Sequence, residues 1–378
     1  MLKKFLQRIP LDRVNWTTSL FLMGTLVVAL IGTPCYIWFY GLDGFQISLF
    51  FVFYFATGLS ITLGYHRLLS HLSFKAKLPV KLFVLLFGAA AFENSALDWC
   101  SDHRRHHKHV DHDDDPYDIS RGFWFAHIGW LLFKLSPEPP MDNVADLQKD
   151  RWILWQHRRI HILSVLMSFI LPAAIGWLYG GWQTALGGFL IAGVARIVIV
   201  QQCTFCINSL CHSFGNRPYS SKCSARDSWV AALVTFGEGY HNFHHEFQHD
   251  YRNGVKPWQF DPTKWMIWFL SKVGLVSSLR RVPNAKILLA EIVEARRQID
   301  LGLELPHTAF PVSAKNFVME CQKKLEILAV KFTQIKSELQ SSALDKTEIS
   351  CEVLNEWRRD IHQGIQTVEW LIANAKPV

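Results

Sequence analysis

The stretch His103-Arg-Arg-His106-His107 is one of three histidine clusters; the others are His66-Arg-Leu-Leu-Ser-His71 and His241-Asn-Phe-His244-His245. In the last two clusters along the chain the spacing is i, i+3, i+4, so a helix places all three rings on one face. Eight imidazoles exceed the four ligands of a usual zinc site. Nitrogen ligands suit Zn, Cu, Ni or Fe; the surplus predicts two metal ions, with iron the one that performs oxygen chemistry.

The composition is typical of a membrane protein. Half of the 378 residues are hydrophobic, and 15 Trp and 27 Phe suit the interfaces of a bilayer. The net charge of +7 does not indicate nucleic-acid binding, because the basic residues flank apolar segments instead of gathering on one amphipathic face. The eight cysteines include a lone CxxC, Cys203 and Cys206, and we expect them to be reduced.

Four apolar segments are predicted to cross the membrane, joined in pairs by turns at Gly41–Gly44 and Gly180–Gly181. A cleaved signal peptide is the alternative for the first segment, but that segment is too long for one and a second follows at once. Residues 82–91 and 124–133 are predicted to lie at the interface, and Arg196 to reach toward it from the end of the fourth span. The spans lie near residues 16–40, 45–63, 162–179 and 182–202.

Charge asymmetry predicts the orientation. Neither outer turn contains Lys or Arg, whereas the N-terminus and the histidine-bearing segments are rich in both. Because cytoplasmic loops carry the excess of basic residues, both termini and all three clusters are expected on the cytoplasmic side of an integral, multi-pass protein.

The clusters lie inside longer motifs: Gly64-Tyr-His-Arg-Leu-Leu-Ser-His71, Asp98-Trp-Cys-Ser-Asp-His-Arg-Arg-His-His-Lys108, Asp115-Pro116, Asn208-Ser-Leu-Cys-His212 and Gly237-Glu-Gly-Tyr-His-Asn-Phe-His-His245. These motifs resemble the membrane acyl-CoA delta-9 (stearoyl-CoA) desaturase family, over roughly residues 16–274. The resemblance implies an all-α fold with four transmembrane helices as a stem and a cytosolic helical cap that holds two iron ions. It also implies that Asn208 binds an iron through water and that nine histidines ligate the irons: His66, His71, His103, His106, His107, His212, His241, His244 and His245.

Acidic residues are expected to orient these rings and fix their tautomers. Asp102, Glu238 and Asp115 are within sequence reach, whereas the rest of the run from Asp111 is expected to be a solvated loop. His109, His112, His127 and His249 have no counterpart in the family and are expected to be surface or packing residues.

The family implies insertion of a cis double bond, at delta-9, into a long-chain acyl-CoA, with O2 and two electrons. Asn94 and Trp99 are expected near the acyl head, and Lys134 near coenzyme A. Ser101 and Leu135 stand where animal relatives carry bases, so an acyl-lipid or acyl-ACP substrate is the alternative. Phe92 and residues 88–91 are predicted to line an apolar tunnel.

The electrons are expected from a separate donor such as cytochrome b5, ferredoxin or rubredoxin. The sequence has no haem, flavin or paired CxxC signature. Arg104, Arg105 and Lys108 form a basic stretch that an acidic donor would recognise.

Residues 284–378 are predicted to form an extension beyond a membrane desaturase domain, 1–283. An apolar stripe from Val318 to Leu339 and another from Ile349 to Ile372, separated by Ser341–Ala343, predict a helical hairpin. Its role is open: dimerisation or donor docking.

Two other functions are compatible with many histidines. A di-iron lipid hydroxylase would use the same site but leave oxygen on carbon. A metal transporter would place its ligands within the spans, whereas these clusters lie beyond the span ends, which disfavours it.

Overall fold

The computed structural model describes residues 11–134, 140–304, 315–345 and 351–374. These residues are predominantly helical, as predicted, with β1 (Lys75–Ala76) and β2 (Val276–Ser277) forming a short antiparallel pair. The main helices are α1 (Trp16–Tyr40), α2 (Gly44–Ser70), α3 (Leu78–Ala89), α4 (Ala96–His109), α5 (Arg151–His157), α6 (Ile160–Ser213), α7 (Trp229–Val234), α8 (His241–Glu246), α9 (Pro262–Lys272), α10 (Asn284–Leu303), α11 (Lys315–Asp345) and α12 (Cys351–Asn374). Shorter helical turns are Leu11–Arg13, Ile119–Arg121, Phe125–Gly129, Trp130–Leu132, Met141–Val144 and Leu147–Lys149.

Three of these helices, α1, α2 and α6, are long and apolar enough to cross a membrane. On α1, Leu20 and Leu30 are each 67% exposed and Trp38 is 84% exposed, a surface that suits hydrocarbon better than water. Helix α3 is also apolar, but its 12 residues extend only about 18 Å, less than the roughly 30 Å core of a bilayer. Its placement at the interface remains a prediction.

The turn between α1 and α2 lies where the sequence predicts it. Gly41 ends α1 with a φ of +78°, a conformation that glycine adopts without strain. Asp43 then begins α2, because its side chain accepts a hydrogen bond from the Gln46 backbone N–H at 2.8 Å. The Gln46 side chain accepts one in return from the Asp43 N–H.

Helix α6 is 54 residues long and bends back on itself. Its backbone is non-helical at Gly180 and at Gly181, where φ is +75°. Gly176 packs against the backbone of Thr184, and Gly188 against that of Pro172, so the two halves run antiparallel on either side of the bend. The absence of side chains at these glycines lets the two backbones approach closely.

Helix α2 extends beyond the predicted end of the second span, near Leu63, as far as Ser70. Residues 60–70 are π-helical and all buried. Tyr65 packs in a core with Leu85 of α3 and Leu97 of α4. The first histidine cluster is therefore held by the end of a buried helix.

The prediction that Arg196 reaches toward the interface is wrong. Arg196 is fully buried in α6. Its Nη1 donates a hydrogen bond to the Ala90 carbonyl at 2.5 Å, and its Nε donates one to Ala192 at 3.0 Å. The side chain therefore provides a hydrogen-bond donor to the carbonyl of Ala90, just after the end of α3. The sequence around Arg196 does not indicate this contact.

The chain forms two compact units, one of residues 1–215 with 223–281 and one of residues 216–222 with 282–378. In the second unit α10, α11 and α12 share one apolar core, so the prediction of a two-helix hairpin omits a helix. The predicted break at Ser341–Ala343 is also wrong, since α11 continues to Asp345. Residues 1–10 and 375–378, which include both termini, and Ile349 lie outside the described residues.

Candidate metal centre

The nine predicted histidines lie together in two groups, each able to hold a metal ion. The five-histidine group consists of His66, His71, His103, His107 and His244, and the four-histidine group of His106, His212, His241 and His245. Within each group the ligand nitrogens lie within 4.8 Å of one another. Four elements supply these side chains: α2 with the residue after it, α4, α6 and α8.

Neighbouring histidines on one helix belong to different groups. On α4, His103 and His107 join the five-histidine group, whereas His106 joins the other. On α8, His244 joins the first, and His241 and His245 the second. Successive residues of a helix are rotated by about 100°, so the adjacent histidines of each motif point in different directions. Each of the two helices therefore contributes ligands to both groups.

The distances between rings fit metal ligands. In the five-histidine group, the Nε2 of His244 lies 3.0 Å from that of His66 and 2.9 Å from that of His107. In the four-histidine group, the Nε2 of His241 lies 3.1 Å from those of His212 and His245. Imidazole nitrogens bind metals at about 2.0–2.1 Å, so nitrogens in adjacent positions on one ion lie about 3 Å apart.

Carboxylates determine which nitrogen faces the groups. The Nδ1 of His106 donates to Asp115 at 2.9 Å, and Glu238 Oε2 lies 2.8 Å from the Nδ1 of His66. With the proton on Nδ1, the Nε2 of His106 carries a lone pair, yet it lies 3.3 Å from the Nε2 of His245. A cation between such nitrogens relieves the repulsion of their lone pairs, and the donor set therefore fits a metal ion.

Burial favours the neutral form of most of these rings. Burial, and then repulsion between neighbouring rings, lowers the pKa of His241 to about 3. The same causes lower the pKa well below its usual value for His71, His103, His107, His244 and His245. Neutral imidazole is the form that binds metals.

A buried network supports Glu238. Arg67 donates from Nε and Nη2 to Glu238 and from Nη1 to Asp261 at 3.1 Å. Burial alone would raise the pKa of Glu238, but the charge of Arg67 lowers it to about 2. Asp261 also accepts a hydrogen bond from the Lys264 N–H and so begins α9.

A cavity of about 860 Å³ reaches both groups. His66 and His103 of the first group line it, as do His106 and His241 of the second. Its volume lies within the range of about 300–1,000 Å³ that is typical of ligand pockets. The wall also includes Asn15, Phe21, Leu22, Ile61, Phe92, Asp102, Phe205 and Asn208.

The predicted substrate residues Asn94, Trp99 and Lys134 all line this cavity. The Trp99 ring stacks on His103 at 4.9 Å between centroids, and its Nε1 donates to Glu93 at 3.3 Å. Burial raises the pKa of Glu93 to about 7. Phe92 lines the cavity as predicted, whereas residues 88–91 are not part of its described wall and Gly88 packs against Tyr65.

Comparison with known proteins shows which family the chain belongs to. A model of the family described as fatty acid desaturase matches residues 44–268, more than half of the chain. The chain belongs to the fatty acid desaturase family. The matched region contains the nine histidines and most of the cavity wall.

Among the relatives, Acyl-CoA desaturase 1 of Saccharomyces cerevisiae is 42% identical over 76% of this chain and 57% of its own length. A probable acyl-CoA desaturase of Schizosaccharomyces pombe is 38% identical over 84% of this chain and 66% of its own length. Stearoyl-CoA desaturase of Homo sapiens is 36% identical over 62% of this chain and 67% of its own length. The match thus spans less than two thirds of either of the first two relatives.

In this member of the family, the basic stretch after His103 is partly structural. Arg104 donates to Asp146 and to the carbonyls of Leu69, Ser70 and Asn143. It ties α4 to the end of α2, which leaves it poorly placed to dock a donor. Ser101 is also buried, and its hydroxyl donates to Asn143 at 2.8 Å.

Two residues of the site were missed in the sequence. Ser224 contacts the Nδ1 of His212 at 2.6 Å, and Asp111 accepts from Ser224. Ser224 is 12 residues from His212 and carries no spacing that marks it as part of a metal centre. His127, by contrast, is a packing residue as expected, bonded to Ser209 and Gln202.

Proposed function

We propose that this protein is a membrane-bound acyl-CoA desaturase that inserts a cis double bond, at delta-9, into a long-chain acyl-CoA. The observation that carries the proposal is the pair of buried histidine groups on the wall of a chain-sized cavity. The names of the relatives, acyl-CoA and stearoyl-CoA desaturases, support the same substrate class.

Two iron ions are the cofactor that best fits this donor set. All-nitrogen sites accept iron, and iron supplies the oxygen chemistry that breaks unactivated C–H bonds. The five-histidine group would hold one ion and the four-histidine group the other. Asn208, one helical turn from His212 on α6 and on the cavity wall, would complete the second through water.

The reaction balances with an external electron donor. Two hydrogens leave the acyl chain, and O2 takes these, two further protons and two electrons to give two waters. The protein's own part is to hold the chain against the histidine groups and to exclude water. Cytochrome b5, ferredoxin or rubredoxin would supply the electrons.

The cavity wall holds cations that would suit a carrier with an anionic head. Lys134, Arg105, Arg121 and His161 line it, although six carboxylates also do: Glu93, Asp102, Asp113, Asp114, Asp115 and Glu238. These cations would bind the phosphates of coenzyme A. They would do so although Ser101 stands where animal relatives carry a basic residue. An acyl group on a membrane lipid or on acyl carrier protein would bring phosphate to the same residues.

The proposed topology has four crossings, with the termini and the metal centre on the cytoplasmic side. Its support is the bend of α6 at Gly180–Gly181, which divides that helix into two apolar segments, and the absence of Lys and Arg from both turns. Residues 1–283 would form the membrane desaturase domain and 284–378 a separate extension.

Assay of purified protein with labelled stearoyl-CoA, a reduced donor and O2 tests the function. Mass spectrometry should find a chain lighter by two hydrogens, with the double bond located by derivatisation. Hydroxylated chains without new double bonds would favour a hydroxylase. Activity on acyl-lipid or acyl-ACP but not on acyl-CoA would show that the proposed carrier, coenzyme A, is wrong.

A further inference from the structure

The acidic turn after α4, Asp111 to Asp115, is more than a solvated loop. Asp111 has a φ of +64°, a left-handed conformation that Asp adopts more readily than most residues. Its backbone N–H donates to Asp115 at 3.2 Å. Asp115 is buried, whereas Asp113 and Asp114 between them are exposed.

Asp111 holds Ser224 through two hydrogen bonds. One carboxylate oxygen accepts from the Ser224 hydroxyl at 2.5 Å, and the other from its backbone N–H at 2.6 Å. The same hydroxyl lies 2.6 Å from the Nδ1 of His212. Because its hydrogen goes to Asp111, the Ser224 oxygen accepts from Nδ1–H of His212.

The consequence lies at the other ring nitrogen. With its proton on Nδ1, His212 presents the Nε2 lone pair to His241, 3.1 Å away in the four-histidine group. Asp115 fixes His106 of the same group in the same tautomer, at 2.9 Å from its Nδ1. Both ends of one turn therefore act on one group.

The five-histidine group has a different support. His66 is faced by Glu238, which Arg67 and Asn253 hold in place. Asp111 and Asp115 contact none of the five rings among the described contacts. The two groups thus have separate orienting carboxylates, carried on separate segments.

We propose that Asp111 and Ser224 are positioning residues for the metal of the four-histidine group alone, with Asp115 acting beside them. This inference rests on the proposed function, because it requires each group to bind an ion. Loss of an orienting hydrogen bond to a ligating histidine typically weakens metal binding about 10–100-fold. The effect should fall on one of the two ions.

The test is anaerobic Fe2+ titration of the metal-depleted full-length protein, with iron per chain measured after gel filtration. Asp111→Asn and Ser224→Ala should each bind the first ion as the wild type does and the second about 10–100-fold more weakly. The double variant should lose no more than either single variant, because the two residues act through one path. Ser224→Thr, which keeps the hydroxyl, should restore binding.

His112→Gln, in the same turn, exposed and outside the described cavity wall, is the matched control and should bind two ions normally. If Asp111→Asn binds both ions as tightly as His112→Gln does, the inference alone is overturned. Loss of both ions together with reduced helicity would also overturn it, since the role would then be structural. A wild-type protein that binds no iron would overturn the proposed function as well.

Discussion

At His106 and His212 the Nδ1 nitrogen is already used in a hydrogen bond, to Asp115 and to Ser224 respectively. The Nε2 nitrogens of these two rings therefore carry lone pairs, which point toward other rings of the group. Lone pairs that face one another in this way lack a donor, and a bound cation is the simplest way to satisfy them. At these two rings, a single hydrogen bond on the far side thus decides which nitrogen faces the group.

His107→Ala tests the five-histidine group. His107 Nε2 lies 2.9 Å from that of His244, so its loss removes a ligand from the first ion. We expect iron content to fall to about half or less and desaturation to fall to background. His109→Ala on the same helix is the control, since His109 belongs to neither group and should leave both unchanged. Full activity of His107→Ala would contradict the assignment.

Glu93→Gln tests a charge in the cavity wall. Burial raises the pKa of Glu93 from 4.5 to about 7, so the carboxyl favours folding below its unfolded pKa and this contribution is lost as the pH rises through 7. The amide keeps an acceptor for Trp99 without the charge. We expect the thermal midpoint of the wild type to fall relative to the variant as the pH rises from 4.5 to about 7. Parallel curves would contradict a buried carboxyl here.

At the scale of elements, hydropathy predicts the helices well, because lipid-facing segments must be apolar throughout. The turns at Gly41 and Gly181 can also be predicted from the sequence, since glycine supplies the positive φ. The assignment of each histidine to one of the two groups cannot, because His106 and His107 are adjacent in sequence yet belong to different groups. Arg196 looked like an interface residue because its partner, the Ala90 carbonyl, is 106 residues away.

Gly188→Val tests the packing of the two halves of α6. A side chain at Gly188 would meet the Pro172 backbone, which cannot move aside easily. We expect the free energy of unfolding to fall by about 1–3 kcal/mol. Gly24→Ala, where nothing lies within 4 Å, should be close to neutral. Thermal unfolding in detergent compares them, and equal midpoints would contradict the close antiparallel packing.

At the scale of the whole molecule, the two units were partly predictable. The stripe of α11 alternates spacings of three and four, and Leu288, Ile292, Ala295 and Ile299 of α10 repeat it with spacings of four, three and four. That third stripe is present in the sequence, but the prediction of a two-helix hairpin omits it. The function of this unit cannot be inferred from packing, because an apolar core stabilises a bundle without indicating a partner.

The proposed topology predicts which surfaces a membrane-impermeant thiol reagent reaches. Leu42→Cys, between α1 and α2, should react only from the non-cytoplasmic side of sealed vesicles. Lys108→Cys, exposed near the metal centre, should react only from the cytoplasmic side. The unsubstituted protein gives the background of the native cysteines. Reaction of both from the same side would contradict the orientation.

The iron content of purified, active protein tests the central claim most directly. The account predicts two iron ions per chain, and desaturation that disappears on metal removal and returns with Fe2+. One ion or none per chain in fully active protein, or unsaturated product from metal-depleted protein, would contradict it.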